Sequence, residues 1–285
     1  MAIRRLLYSL KRRLSVSFYL EKKFFLNMVL YKRPIIKRQL SDPFSIPVII
    51  ISFNQLYYLK KLVDSLLSKG CTHIVIVDNK STYRPLLDYY KKINDRVTIE
   101  YMDKNWGYLV FFENRELHSK YAQGFYFLTD PDIVPNDNLP ENFAKIMLEI
   151  LLDNYDSVTK VGWALDVKSI PDHYSLKESV LKWEAKYWEQ PLLCPHVREA
   201  YIADIDTTFA IYKPSFRKGN HNFISFYSAI RLAGNYLSQH GGWYVNKDNL
   251  TDEQQYYLHS ADSSSSWKMD LEGNLDNNFY KDQYK

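Results

Sequence analysis

Two aspartates separated by one proline, Asp130-Pro131-Asp132, follow directly on the apolar run Gly124-Phe-Tyr-Phe-Leu-Thr129. Two carboxylates this close at the end of a strand can hold a hard divalent cation, because oxygen ligands suit Mg2+ and Mn2+. Three earlier runs also end in small polar residues. Pro47-Val-Ile-Ile-Ile-Ser-Phe-Asn54 closes on Ser52 and Asn54, and His73-Ile-Val-Ile-Val-Asp-Asn79 closes on Asp78 and Asn79. Asn105 lies just beyond a third run at 97–101. One polar strand end reads as a helix cap, but four in succession read as the lining of a single site. No G-x-G-x-x-G follows the first run, which argues against a dinucleotide oxidoreductase. A Walker lysine motif is missing as well, so a phosphate-bearing ligand would need another means of charge neutralisation. A carboxylate-held metal supplies one.

The elements that must position these groups follow from periodicity. The runs are continuously apolar, the pattern of strands buried on both faces. Leu56, Leu59, Leu62, Val63, Leu66 and Leu67 recur at helical spacing between the first two runs, and Gly70 stands where a C-terminal cap belongs. Further helices are predicted at 83–93, around Leu117, and at 139–151 through Phe143, Ile146, Met147, Ile150 and Leu151. Repeated strand–helix units imply an α/β fold with a mostly parallel central sheet flanked by helices. In such sheets ligands bind at the carboxyl ends of the strands. Beyond the aspartates, 161–166 reads as a strand whose Trp163 either faces a ligand or fills the core. Residues 178–188 read as an aromatic-rich helix. Residues 201–212 read as a strand or hairpin, whose alternation would place Asp204 and Asp206 on one face.

Composition bounds the rest. The 285 residues are 46% hydrophobic and 25% charged, as in ordinary globular proteins, and length alone permits one large domain or two small ones. Cys71 and Cys194 are the only cysteines and lack metal-ligand spacing, which points away from a disulfide framework or structural zinc and toward a reducing compartment. Charge is unevenly spread. Residues 1–40 hold eleven basic residues and one acid, a local +10 in a chain whose net charge is +4. A uniform nucleic-acid-binding surface would not look like this, and no nucleic-acid partner is expected. The basic residues of 1–45 are interleaved with aromatic and aliphatic ones, and the longest uncharged stretch, 24–31, is far too short to span a bilayer. No signal-peptide cleavage site is evident. The segment is therefore expected to lie as an amphipathic helix on an anionic membrane surface, at the inner, cytoplasmic face. The alternatives are a helical arm that packs on the main domain with its charges in water, and an RNA-binding arm.

Ile50-Ile-Ser-Phe-Asn54, Val75-Ile-Val-Asp-Asn-Lys-Ser81, Asn105-Trp-Gly107 and Phe127-Leu-Thr-Asp-Pro-Asp132, taken in order, resemble the successive signatures of GT-A-fold glycosyltransferases, especially family 2-like enzymes. The resemblance covers roughly 46–215. It implies a nucleotide-sugar donor, most simply a UDP-sugar, with Ser52 and Phe53 along the base, Asp78 on the base or ribose, and Asn54, Asn79 and Asn105 nearby. Asp130 would contact the ribose and metal-bound water, and Asp132 would bind Mn2+ or Mg2+. His240, in His240-Gly-Gly-Trp-Tyr244, resembles the histidine that completes the metal site in many GT-A enzymes, and Trp243 and Tyr244 could stack on sugar. Asp206 resembles the catalytic base of an inverting transferase, with Asp204 as its alternative. The expected organisation is a catalytic domain at 46–267, with a donor half (46–135) and an acceptor half (136–267), between the basic arm and a polar tail at 268–285. The Ser263–Ser266 run reads as a loop over the site. The acceptor would be a glycan or lipid-linked glycan of the cell surface. A retaining transferase and a catalytically silent nucleotide- or glycan-binding module are the competing readings.

Overall fold

The computed structural model describes residues 30–215, 225–261, 270, 273 and 274. Most of the basic arm, the serine run and most of the polar tail therefore lie outside the described residues. The parallel strands expected ahead of Asp130 form. β1 (Val48–Ser52) pairs in parallel with β2 (Ile74–Asp78) on one side and with β4 (Tyr126–Thr129) on the other. β2 in turn pairs in parallel with β3 (Thr98–Tyr101).

Alternation along these strands explains why they read as unbroken apolar runs. Ile50, Ile76 and Phe127 face one core, covered by Leu59 and Leu62 of α2 (Tyr57–Ser68), Leu86 and Tyr90 of α3 (Arg84–Ile93), and Phe143 and Met147 of α6 (Phe143–Asp153). Ile49, Val75 and Leu128 face a second core, closed by Val110 and Phe111 of α4 (Val110–Glu113) and by Leu117 and Tyr121 of α5 (Arg115–Tyr121). With both faces covered, no position on β1 or β2 needs to be polar until the strand ends.

The strands after β4 depart from the parallel pattern. The eight-stranded sheet continues from β4 through β8 (Ala210–Tyr212), β6 (Lys160–Trp163), β9 (Ala229–Leu232) and β7 (Ala200–Ile202). β8 is antiparallel to both β4 and β6, and β7 is antiparallel to β9. The predicted strand or hairpin at 201–212 is therefore corrected. Its two ends belong to different places in the sheet, and 203–209 is a connecting segment to which strand alternation does not apply. A second, two-stranded sheet pairs β5 (Ile133–Pro135) with β10 (Ser238–His240) antiparallel.

The boundary expected at residue 45 also moves. α1 (Pro34–Ser41) packs on the domain through Ile36, which is fully buried, and through Gln39. The Gln39 amide donates to the Phe125 carbonyl (2.8 Å) and its oxygen accepts the Phe125 N–H (2.8 Å), so α1 reads the backbone just before β4. Gly124 leaves room for this, since a Cβ there would meet Gln39 at 2.3 Å. Lys37 and Arg38 stay exposed. For these residues the packed-arm alternative describes the structure. No helix of the described residues is long and apolar enough to cross a membrane.

Candidate active site

Parallel register brings the strand ends together. Ser52 is level with Asp78, and Ile50 is level with Thr129, so the chain beyond Thr129 emerges beside the end of β1. A cleft of about 700 Å³ opens there, lined among others by Phe53, Asn79, Asn105, Asp130, Asp132, Asp206 and His240.

Asp132 and His240 meet because β10 runs against β5 with His240 opposite Ile133. The Gly241 N–H donates to the Asp132 carbonyl (2.8 Å) and the Gly242 N–H to Asp132 Oδ2 (3.0 Å), which fixes the carboxylate. His240 Nδ1 lies 3.5 Å from that same oxygen, and the imidazole stacks on the Trp243 indole with centroids 5.0 Å apart. Nδ1 is buried and has no hydrogen-bond partner among the described residues. Gly241 lets Tyr58 approach, since a Cβ there would meet the phenol ring at 2.3 Å. Burial, followed by the nearby Asp132 charge, raises the Tyr58 pKa, so this hydroxyl keeps its proton.

Asp130 joins this group to the 203–209 segment. Its N–H donates to the Thr207 carbonyl (3.2 Å) and its Oδ2 accepts from the Thr207 hydroxyl (2.5 Å). Burial first, and then the charge of Asp132, push the Asp130 carboxyl well above the ordinary range, while the Thr207 bond and Lys160 oppose the shift. Thr207 thereby brings Asp206 to the cleft wall beside the two motif aspartates.

Not every expected residue reaches the cleft. Phe53, Asn79, Asn105 and Asp130 line it, but Ser52, Asn54 and Asp78 are buried beneath it. The Tyr90 hydroxyl lies 2.9 Å from Ser52 Oγ and donates to Asp78 Oδ1 (3.1 Å), while Asp78 Oδ2 accepts the Ser81 N–H (3.0 Å). Asn54 adopts φ 52°, a left-handed conformation that asparagine tolerates, and its Oδ1 accepts the N–H groups of Thr82 and Tyr83 ahead of α3. These three set the shape of the cleft floor. Asn79 likewise shapes a loop, donating to the Gly107 carbonyl at 3.0 Å.

Tyr244 lines the cleft, with its hydroxyl 2.5 Å from Ser169 Oγ. Of the two readings of Trp163 the ligand-facing one is corrected and the core one holds, since the ring is fully buried and stacked on Phe209 at 3.7 Å and 8°. Trp243, 1% exposed, offers no face to a sugar and instead backs His240. Asp204 is exposed and does not line the cleft, which leaves Asp206 as the carboxylate of that pair at the site.

The wall formed by α7 (Asp252–Ser260) was not anticipated. Glu253 Oε1 accepts the N–H groups of Leu56 and Tyr57 (both 3.0 Å), capping the N-terminus of α2, where no local side chain does so. Tyr256 donates to Thr82 Oγ1 (2.9 Å), and Asn54 Nδ2 donates to Ser260 Oγ (2.9 Å). The capping box Thr251-Asp-Glu-Gln254 was the signal available in the sequence. Removal of a cap costs about 1 kcal/mol. Glu253→Ala is therefore expected to lower the melting temperature by about 2–4 °C in a calorimetric scan.

Residues 48–198 match glycosyl transferase family 2, and the chain belongs to that family. It is 31% identical over 126 residues to the protein provisionally assigned as the teichuronic acid biosynthesis glycosyltransferase TuaG of Bacillus subtilis (strain 168). That match covers 42% of this chain and 47% of TuaG, so the chain spans about half the length of its curated relative. Among solved structures, the mannosyltransferase PcManGT from Pyrobaculum calidifontis, in complex with GDP-Man and Mn2+, superposes with a TM-score of 0.41 at 14% identity, over 69% of this chain and 56% of that one. S. aureus TarS 1-349 in complex with UDP-GlcNAc superposes with a TM-score of 0.36 at 15% identity, over 59% and 44%.

Proposed function

We propose that this protein is a divalent-metal-dependent, inverting glycosyltransferase that uses a nucleotide diphosphate sugar, most simply a UDP-sugar. The observation that carries the reading is the charge of the cleft. Asp130, Asp132, Asp206, Asp252 and Glu253 line it, whereas no lysine or arginine does among the described residues. A diphosphate entering alone would meet carboxyl groups with no lysine or arginine to balance its charge.

Among the described residues no three His, Cys, Asp or Glu side chains converge as a metal cage. Asp132 and the unpartnered His240 Nδ1 nevertheless fit a cation whose remaining ligands come from phosphate oxygens and water, the mode common for Mg2+. When bound, Mn2+ or Mg2+ would neutralise the departing diphosphate. The protein's own groups then have separate tasks. The Gly242 N–H keeps Asp132 oriented, and Trp243 keeps His240 in plane. Asp130 ties the metal side to Thr207, and the Asp206 carboxylate takes the proton of the attacking acceptor hydroxyl. Tyr244, Phe53, Asn79 and Asn105 are the groups available to the donor and to the first acceptor sugar.

A screen of nucleotide sugars for hydrolysis, with and without Mn2+, tests class, donor and metal together. Turnover unaffected by chelation would sink the metal assignment. Product NMR showing a retained anomeric configuration would replace the inverting reading with the retaining one.

The acceptor is proposed to be a lipid-linked or surface glycan, reached from the cytoplasmic face of a membrane by way of the basic residues of 1–29. Because Leu30 and Ile36 belong to the core, the informative truncation stops at residue 29. That truncation is expected to abolish co-sedimentation with phosphatidylserine vesicles while preserving the fold, at ~1 kcal/mol per basic residue removed. Undiminished sedimentation would refute membrane attachment through the arm.

A further inference from the structure

The segment that carries Asp206 is held from beneath by two buried cations. Arg231 Nε donates to the Asp204 carbonyl (2.9 Å), and its Nη1 lies 2.8 Å from Glu184 Oε2, so that its charge is balanced inside the domain. Lys160 Nζ donates to the Asp206 carbonyl (2.7 Å) and to the Tyr212 hydroxyl (2.9 Å), which itself approaches the same carbonyl at 3.2 Å. Lys160 and Tyr212 are direct cross-strand partners between β6 and β8, which puts both side chains on one face under the segment. The lysine is fully buried, with its ammonium over the rings of Phe226 (4.1 Å) and Tyr212 (4.8 Å).

Burying an ammonium costs several kcal/mol, and a packed apolar residue of the same length would usually serve stability as well or better. The placement calls for a further reason. Residues 203–209 lie between β7 and β8 outside any strand, with backbone bonds at Ala203, Ile205, Thr207 and Phe209, and the Asp206 carbonyl among them is held by Lys160 and Tyr212. Lys160 grips the segment at Asp206 itself, through the carbonyl.

We propose that Lys160 is a positioning residue, which clamps the Asp206 carbonyl so that the Asp206 carboxylate stays aimed at the acceptor hydroxyl. The inference rests on the reading of Asp206 as proton acceptor. Misplacement of a catalytic group by about 1 Å costs ~10²-fold in rate without loosening ligand binding.

The test uses the full chain and whichever nucleotide sugar it hydrolyses fastest with Mn2+. Lys160→Met is expected to lower kcat about 10- to 100-fold with the donor KM within about threefold. Tyr212→Phe, which removes one hydroxyl from the core, is expected to show the same split at smaller size, and it carries the test if Lys160→Met does not fold. In an Asp206→Asn background Lys160→Met should cost nothing further, because both changes disable one device. Hydrogen exchange of peptides spanning 203–209 should accelerate in both single variants. Unchanged kcat, or a fully additive loss in the double variant, overturns the positioning role alone. Absence of hydrolysis by the natural chain with every nucleotide sugar overturns the transferase reading itself.

Discussion

Asp132→Ala is expected to abolish Mn2+-stimulated hydrolysis of the donor, with a loss of about three orders of magnitude in kcat/KM. Charge stabilisation by a bound metal amounts to several kcal/mol, and each 1.36 kcal/mol is tenfold in rate. The carboxylate has a second task, since its Oδ2 accepts the Gly242 N–H that shapes the turn after β10. Asp132→Asn therefore belongs beside Asp132→Ala. The amide oxygen keeps that hydrogen bond and the turn, while the negative charge is lost. Equal loss in both variants, with unchanged melting, assigns the effect to cation binding. Full activity in Asp132→Asn would show that the charge at this strand tip is dispensable, and the metal assignment would fail. Isothermal titration with Mn2+ and UDP reads the same point without turnover.

Asp206→Asn carries the second large effect. A general base contributes roughly 10²- to 10⁴-fold, and the amide cannot take a proton from the acceptor. The expected result is a kcat lower by that factor with nucleotide affinity retained, because Asp206 stands on the far side of Asp130 from β1 and β2, tied in through Thr207. Asp204→Asn, at an exposed position outside the cleft, is the matched comparison and is expected to change kcat little. Retained turnover in Asp206→Asn would move the base elsewhere. Nucleotide binding with no turnover in the natural chain would favour the silent-module reading.

The two aspartates at 204 and 206 also mark where sequence reading stopped being informative. Alternation treats a run as one strand, and 201–212 carries enough β-branched and aromatic residues to look like one. The chain instead leaves β7, crosses over Lys160 and Arg231, and enters β8 with two strands lying between them in the sheet. That path is decided by pairing partners far apart in the chain, which local pattern does not encode. Lys160 gave a faint signal, a single basic residue inside Val158-Thr-Lys-Val-Gly-Trp163. Glu253 gave none for its role, since it caps a helix almost two hundred residues earlier.

The tryptophans teach the same lesson from the other side. Trp163 and Trp243 sit in motifs that could present rings to a sugar, yet one stacks on Phe209 and the other on His240. Large aromatic side chains bury well wherever a neighbour offers a face, and composition cannot say which face that will be.

By itself the sequence determined the parallel strands β1 to β4 and their polar tips. Those depend on local periodicity and on the rule that strands covered on both faces stay apolar until they end. It also determined that two carboxylates would stand one residue apart at the tip of β4. Tertiary structure alone decided which polar tips open to the cleft and which, like Asp78, turn down to Tyr90. It alone brought His240 to Asp132, through the antiparallel pairing of β5 with β10, and carried Asp206 to Asp130 through Thr207. Contacts across a hundred residues are fixed by packing and register, and neither is written in any short stretch of chain.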